Sequence, residues 1–523
     1  MRRFGLISTA AMMFVVFLAL SAGCSVFAAE GSGAGGAFDP SSLFAGLEIA
    51  PAHKPIGDHN PILPHRFGAD PYALVYDGRV YVYATNDAVV QTPTGVVIKN
   101  QYGLIRSISL VSSDDLVNWT DHGWIEIGPP GRGLAPWAGN SWAPAAVYKN
   151  IDGKDRFFLY FANNANGIGV LTSDSPVGPF SDPIGDALVS RNTPNANVVW
   201  LFDPAVVLDP EGNGYLYFGG GVPQGQDEMP NTARVVELGD DMISLAGTPQ
   251  VVPAPWFFEA AYVFEHNGTY YYTYCTNFAD RSNARGSIVN DPGEIAYMTS
   301  SNPMGPWEYQ GSILKNPGEF FGIGGNNHHS IVRFNGEWYV FYHARLMEEY
   351  MGIVDGDYRA THVDRLIITD DGKILPAAGT RRGVAQVKYL NPYVRQEAET
   401  MAWAGGVTVQ QSSEPSAIYG PVNTVVAVGS GSFIGLSGVD FGTEGAARIT
   451  VKVASEAEVN AIKITTGKPE NEAVGYVVVP NTGSLDEYVE ITVALDQPVK
   501  GVQDLFFVFA GEGFVFDAWQ FHK

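Results

Sequence analysis

One hairpin grammar recurs five times between residues 69 and 342, and nothing else in this chain restricts its fold as strongly. The first copy starts with Asp70-Pro71, runs as an apolar strand to Tyr76, turns at Asp77-Gly78 and returns with alternating Val and Tyr. An Asp-Gly pair between alternating apolar runs is a strong β-hairpin signal. The second copy runs from Ser141-Trp142-Ala143-Pro144 to Phe161, the third from Phe202-Asp203-Pro204 to Phe218, the fourth from Phe258-Glu259-Ala260 past Asn267-Gly268 to Tyr272, and the fifth from His328-His329-Ser330 past Asn335-Gly336 to Tyr342.

Repetition at roughly 55 to 80 residues marks a propeller rather than a single sandwich, which does not repeat one hairpin five times. A second signature follows the first, second and fourth hairpins: Ser112-Ser113-Asp114-Asp115, Ser173-Asp174-Ser175-Pro176 and Ser300-Ser301-Asn302-Pro303, each leading to Trp119, Phe180 or Trp307. It reads as the outer edge of the repeated unit. The expected architecture is all-β: a five-bladed β-propeller over residues 60–385, then a β-sandwich, jelly-roll-like, over residues 386–523. In the second segment short alternating strands replace the hairpins, such as Ile449-Thr450-Val451-Lys452-Val453 and Leu505-Phe506-Phe507-Val508-Phe509.

The net charge of −24 argues against nucleic acid, whose phosphates demand a Lys/Arg surplus, and against an anionic membrane surface. A neutral polysaccharide is compatible with it. Met1-Arg2-Arg3 followed by an apolar run through Leu20 reads as an export signal within residues 1–29. Ser21-Ala22-Gly23-Cys24 reads alternatively as a lipobox, with Cys24 carrying a lipid anchor. A Gly-rich tether and N-terminal extension fill residues 30–59. Both readings place the protein outside the cell, secreted or at the surface. Cys275 lies in a strand-like run and is expected as a buried thiol. No later run is apolar enough for a transmembrane span.

In a propeller the innermost strands all start at one end of the central axis, so residues at equivalent entrances converge. Asp70, Asp203, Glu259 and His328 or His329 fall within about one residue of that position, and Trp142 takes it in the second hairpin. Three carboxylates beside a neutral substrate suit an inverting glycosidase. One activates water, one protonates the leaving oxygen at roughly 6.5–9.5 Å from the first, and a third raises the acid's pKa.

With Ala69-Asp70-Pro71, Ser141-Trp142-Ala143-Pro144, Phe202-Asp203-Pro204, Phe258-Glu259-Ala260, His328-His329-Ser330 and Tyr358-Arg359, the chain resembles glycoside hydrolase family 43. The resemblance implies hydrolysis of arabinofuranosyl or xylosyl linkages in plant cell-wall polysaccharide. It makes Asp70 the general base, Asp203 the pKa modulator and Glu259 the general acid. It implies a histidine near an axial calcium ion: His328, with His329 as the alternative. Arg359 would bind substrate hydroxyls or orient the acid, Trp142 would stack on a sugar face, and Trp137 and Phe320 are further lining candidates.

The C-terminal segment resembles a family 6 carbohydrate-binding module, on Glu397-Ala398-Glu399, Val439-Asp440-Phe441-Gly442 and Phe516-Asp517-Ala518-Trp519. That resemblance implies a structural calcium on Glu397, Glu399 and Asp517. Phe433 stands where the family places a cleft Trp, and the 511–516 segment lacks an Asn, which puts glycan binding there in question. The leading expectation is an inverting α-L-arabinofuranosidase on arabinoxylan or arabinan. The alternatives are a β-xylosidase, arabinanase or galactanase of the same fold, or a non-catalytic glycan-binding surface protein.

Overall fold

The computed structural model describes residues 38–129, 133–413, 415–420 and 424–523. The expected export signal, Cys24 and the first part of the tether lie outside the described residues. Residues 39–523 form one compact unit, and its α-helix among the described residues is confined to Gly318–Phe321 and Leu346–Met351. No helix there is long and apolar enough to cross a membrane.

Five antiparallel meanders occupy the repeat region. Their first two strands are the five hairpins: Ala69–Tyr76 with Arg79–Thr85, Trp142–Ile151 with Lys154–Ala162, Ala205–Leu208 with Gly214–Phe218, Phe257–His266 with Thr269–Thr276, and His329–Phe334 with Glu337–Ala344. Four of these hairpins close through a two-residue turn, at Asp77-Gly78, Asp152-Gly153, Asn267-Gly268 and Asn335-Gly336, with both residues at positive φ. That geometry matches the right-handed strand twist and favours Asn or Asp followed by Gly. Each first strand packs against the first strand of the next sheet, and the fifth packs against the first, so the sheets close a ring.

A repeated tyrosine peg ties neighbouring sheets together. The hydroxyls of Tyr83, Tyr160, Tyr217 and Tyr271, all on second strands, donate to the carbonyls of Pro176, Met242, Pro303 and Gly372. Each acceptor lies in the connection between the third and fourth strands of the following sheet. Two of these connections carry the Ser/Asn/Pro signature, which therefore receives a neighbour's buried hydroxyl. Buried phenols need such partners.

Residues 396–523 build two further antiparallel sheets around a shared core that includes Phe507, Phe516, Trp519 and Phe521. The chain beyond 385 is not separate from the first sheet, however. Thr400–Met401 pairs with Trp119–Glu126 as a fifth strand. Buried Asp121 anchors this edge: its carboxylate accepts from Arg66 and His65, and its carbonyl accepts from Thr424. Phe433 is 1% exposed and packs with Trp403 and Phe506 beneath Phe44, Ile49 and Ala52. The N-terminal segment thus covers the position compared with a glycan-stacking Trp, so Phe433 serves as core.

Candidate active site

The entrances of the first four hairpins share one backbone kink. Asp70, Ala143, Asp203 and Ala260 all have positive φ, at 50°, 38°, 51° and 61°. The strand register slips beside three of them, at 69–72, 142–145 and 259–262. A left-handed residue is strained for an L side chain, and Asp tolerates it better than most. The kink turns the strand start toward the ring centre. It also refines the equivalence read from sequence: Asp70 and Asp203 are the kinked residues themselves, whereas Glu259 and Trp142 each precede one.

Asp70, Asp203 and Glu259 line one cavity of about 320 Å³ together with Trp142, His328 and Arg359. The three acids are buried. Asp70 Oδ2 accepts from Thr85 Oγ1 at 2.6 Å, and that same hydroxyl accepts the amide of Ala143 at 2.8 Å. Asp70 Oδ1 accepts from Arg359 Nη1 at 3.0 Å. The Asp70 amide donates to His343 Nδ1 at 3.0 Å, and His343 Nε2 lies 3.0 Å from the Asn326 carbonyl. One tautomer, protonated on Nε2, satisfies both contacts. Asp203 Oδ2 accepts the amide of Ala260 at 2.8 Å, which couples the third and fourth entrances.

These surroundings separate the acids. Burial alone would raise Asp70, but the Arg359 guanidinium together with the His343 and His328 imidazoles outweighs it and holds the carboxyl well below the usual range. Burial, then the Asp70 charge, pushes Glu259 up to about 8. Burial, with the charges of Glu259 and Asp70, pushes Asp203 upward as well. Asp203 and Glu259 share their titration. The Ala260 amide favours ionised Asp203, while Glu259 Oε1 is buried with no hydrogen-bond partner. The proton of the pair therefore belongs on Glu259, beside an ionised Asp70.

Arg359 is fixed before it meets Asp70. Its backbone amide, Nε and Nη2 all donate to buried Asp87, at 3.0, 2.9 and 3.0 Å, and Tyr102 lies over its guanidinium at 4.7 Å. Trp142 stands on the cavity wall, its indole N–H donating to the Tyr102 carbonyl. His328 reaches the cavity with Nδ1 3.5 Å from Asp70 and 3.8 Å from Asp203. Burial lowers its pKa to about 4, so its imidazole is neutral near pH 7. His329 points elsewhere and bonds Thr273 Oγ1 at 2.5 Å. Trp137 and Phe320, expected as lining residues, do not line the cavity. The Trp137 indole is held by Asp182 and packs on Phe161, and Phe320 packs on Phe321.

The expected metal ligands fall in two places: His328 in the acid cavity, and Glu397, Glu399 and Asp517 close enough to act on one another's charge. Among the described residues, no group of three or more His, Cys, Asp or Glu side chains is arranged to hold a metal ion. His328 faces two carboxylates of the acid cluster instead. In the C-terminal sheets Glu397, Glu399 and Asp517 are all buried, but Asp517 is engaged by Arg395 and Lys452 at 3.1 Å each. Glu397 accepts from Ser416. Glu399 Oε2 is buried without a hydrogen-bond partner.

Several contributors escaped the sequence reading. Thr85, Asp87, Asn164 and His343 lie at or just beyond the ends of second strands. In a hairpin the exit of the second strand lies beside the entrance of the first. Polar residues at exits therefore face the same funnel, and that rule would have found them. Tyr102 and Asn326 sit in connections whose path no periodicity reveals.

Two buried acids with opposed protonation in one cavity, on an all-β scaffold, suit a hydrolase of glycosidic bonds. The comparisons give the family. The model described as glycosyl hydrolases family 43 matches residues 59–374, and this chain belongs to that family. Residues 397–523 match the carbohydrate binding module (family 6). The sequence is 46% identical over 486 residues to an arabinoxylan arabinofuranohydrolase of Bacillus subtilis (strain 168), covering 90% of this chain and 93% of that protein. It is 43% identical over 500 residues to an arabinoxylan arabinofuranohydrolase of Paenibacillus polymyxa, covering 92% and 77%. A crystal structure of a family 43 arabinoxylan arabinofuranohydrolase from Bacillus subtilis in complex with cellotetraose has a TM-score of 0.85 at 45% identity, covering 91% of this chain and 99% of that one.

Proposed function

We propose that this protein is an inverting α-L-arabinofuranosidase that removes arabinofuranosyl side groups from arabinoxylan. The observation that carries the reading is the opposed environment of Asp70 and Glu259 in one cavity. The two relatives' names supply the sugar. Asp70, ionised against Arg359, takes a proton from water as the water oxygen bonds the anomeric carbon. The bond from that carbon to the glycosidic oxygen breaks on the opposite face, and Glu259 gives its proton to the departing oxygen. Burial and the Asp70 charge keep Glu259 protonated, and Asp203, held ionised by the Ala260 amide, adds a second negative charge beside it. Arabinose leaves with inverted configuration. Incubation with arabinoxylan is expected to release arabinose, and NMR of the first-formed sugar to show inversion. Retention, or turnover of aryl xyloside alone, overturns the reading.

Five meanders in a closed ring support a five-bladed propeller, and the two C-terminal sheets a sandwich. The apolar N-terminal run supports export to a place where polysaccharide is met. For the C-terminal acids, the hard oxygen donors and the unpartnered Glu399 Oε2 support a calcium ion competing with Arg395 and Lys452. Melting temperature should then rise with the logarithm of added calcium and fall with a chelator. An unchanged melting temperature overturns that part alone.

A further inference from the structure

A cleft of about 980 Å³ lies between the fourth and fifth sheets, at the end of the ring away from the acids. Asn267 and Gly336, from the turns of those two hairpins, border it. On the strand Phe257–His266, Glu259 stands at the acid end and His266 at the cleft end. The extended chain between them spans roughly 20 Å. The cleft shares no lining residue with the acid cavity.

A row of rings forms its walls. Trp338, half-buried at the start of a second strand, meets Phe264 at 5.2 Å and His266 at 5.1 Å. Phe264 stacks on Tyr271 at 4.7 Å, and Tyr271 on Tyr297 at 6.4 Å. The Tyr271 hydroxyl donates to the Gly372 carbonyl, and the Tyr297 hydroxyl accepts the Ile374 amide, so both phenols are fixed. Rings held on strands lose little freedom when a sugar face stacks on them. Around them Arg333, Arg365 and Lys373 are matched by Glu337, Asp370 and Asp371. The cleft is therefore balanced within a chain of net charge −24, which argues against a polyanion or polycation and favours a neutral ligand rich in hydroxyls.

We propose that this cleft is a second glycan-binding site, which holds a neutral stretch of the polysaccharide main chain away from the reacting centre. The proposal rests on the polysaccharide reading above and adds a place of attachment. At about 980 Å³, against about 320 Å³ for the acid cavity, the cleft admits several sugars of a chain. The C-terminal sheets do not offer the Phe433 ring for this task, because it is buried beneath the N-terminal segment. Holding the polymer at a second place raises the effective concentration of its side groups at the acids.

Retention of the Glu259→Gln enzyme on insoluble arabinoxylan reads binding without turnover. Adding Trp338→Ala should weaken that retention about threefold to tenfold, the size of one lost stacking ring. In the active enzyme, Trp338→Ala should lower the rate on insoluble arabinoxylan, relative to that on an aryl arabinofuranoside, by about threefold or more. If Trp338→Ala folds poorly, Gln310→Ala with Arg333→Ala, two exposed positions on the same cleft, should weaken retention in the same direction. Unchanged retention in these variants overturns the proposal. So does a Trp338→Ala chain that sediments as a monomer where the wild type sediments as a dimer, because the cleft then covers a second copy. Failure of the wild type to release arabinose overturns the function instead, while retention still reads the cleft, so the two failures are distinguishable.

Discussion

Glu259→Gln is expected to lower kcat on arabinoxylan by about 10²- to 10⁴-fold, the range that a positioned general acid contributes. Glutamine keeps the shape of Glu259 and its place beside the Ala260 kink but carries no transferable proton. The loss should shrink on an aryl arabinofuranoside whose phenol leaves without protonation, because the missing step is then no longer needed. The pH profile provides an independent check. Burial and the Asp70 charge place Glu259 at about 8, so wild-type kcat/KM should decline as pH rises through that value. The variant should lack this alkaline limb. An alkaline limb that persists in Glu259→Gln, or full activity, means that another group donates the proton.

Arg359→Met should cost about 3–5 kcal/mol of stability as well as activity, the usual loss when one partner is removed from a buried ion pair. Arg359 is 6% exposed, and its guanidinium satisfies two buried carboxylates, Asp70 and Asp87. The sign of the pH response follows from Asp70. In the wild type its folded pKa lies below the unfolded value, so its contribution is present above the unfolded pKa and is lost only as pH falls through the folded one. Without Arg359, burial loses its strongest opponent and the folded pKa rises. The stability deficit of the variant should therefore shrink as pH falls from 7 toward 4. Denaturant unfolding at several pH values measures this, and a pH-independent deficit removes the argument. Adding Asp87→Asn should recover part of the loss, because it removes one of the two stranded charges.

The hairpin repeat carries much of the fold in plain view. Alternating apolar strands and Asn-Gly or Asp-Gly turns are local features, and four of the five hairpins close as those turns require. Placing acids at hairpin entrances also brings Asp70, Asp203 and Glu259 to one cavity. The reading failed where contacts depend on chain paths rather than period. Trp137 is a large aromatic near a hairpin entrance, yet its indole is drawn to Asp182. Met401, far along the chain, completes the edge of the first sheet beside Trp119.

By itself the sequence determined the β-class, the recurring unit and the identity of the acids, because turn chemistry and period-two alternation act over a few residues. The tertiary structure alone decided which acid is charged. That choice depends on Arg359, on the Asp87 that aims it and on the Ala260 amide, groups brought beside Asp70 and Asp203 only when the ring of sheets closes. Electrostatic interactions depend on distance through space, and burial sets their strength, so neither is written in the order of residues along the chain.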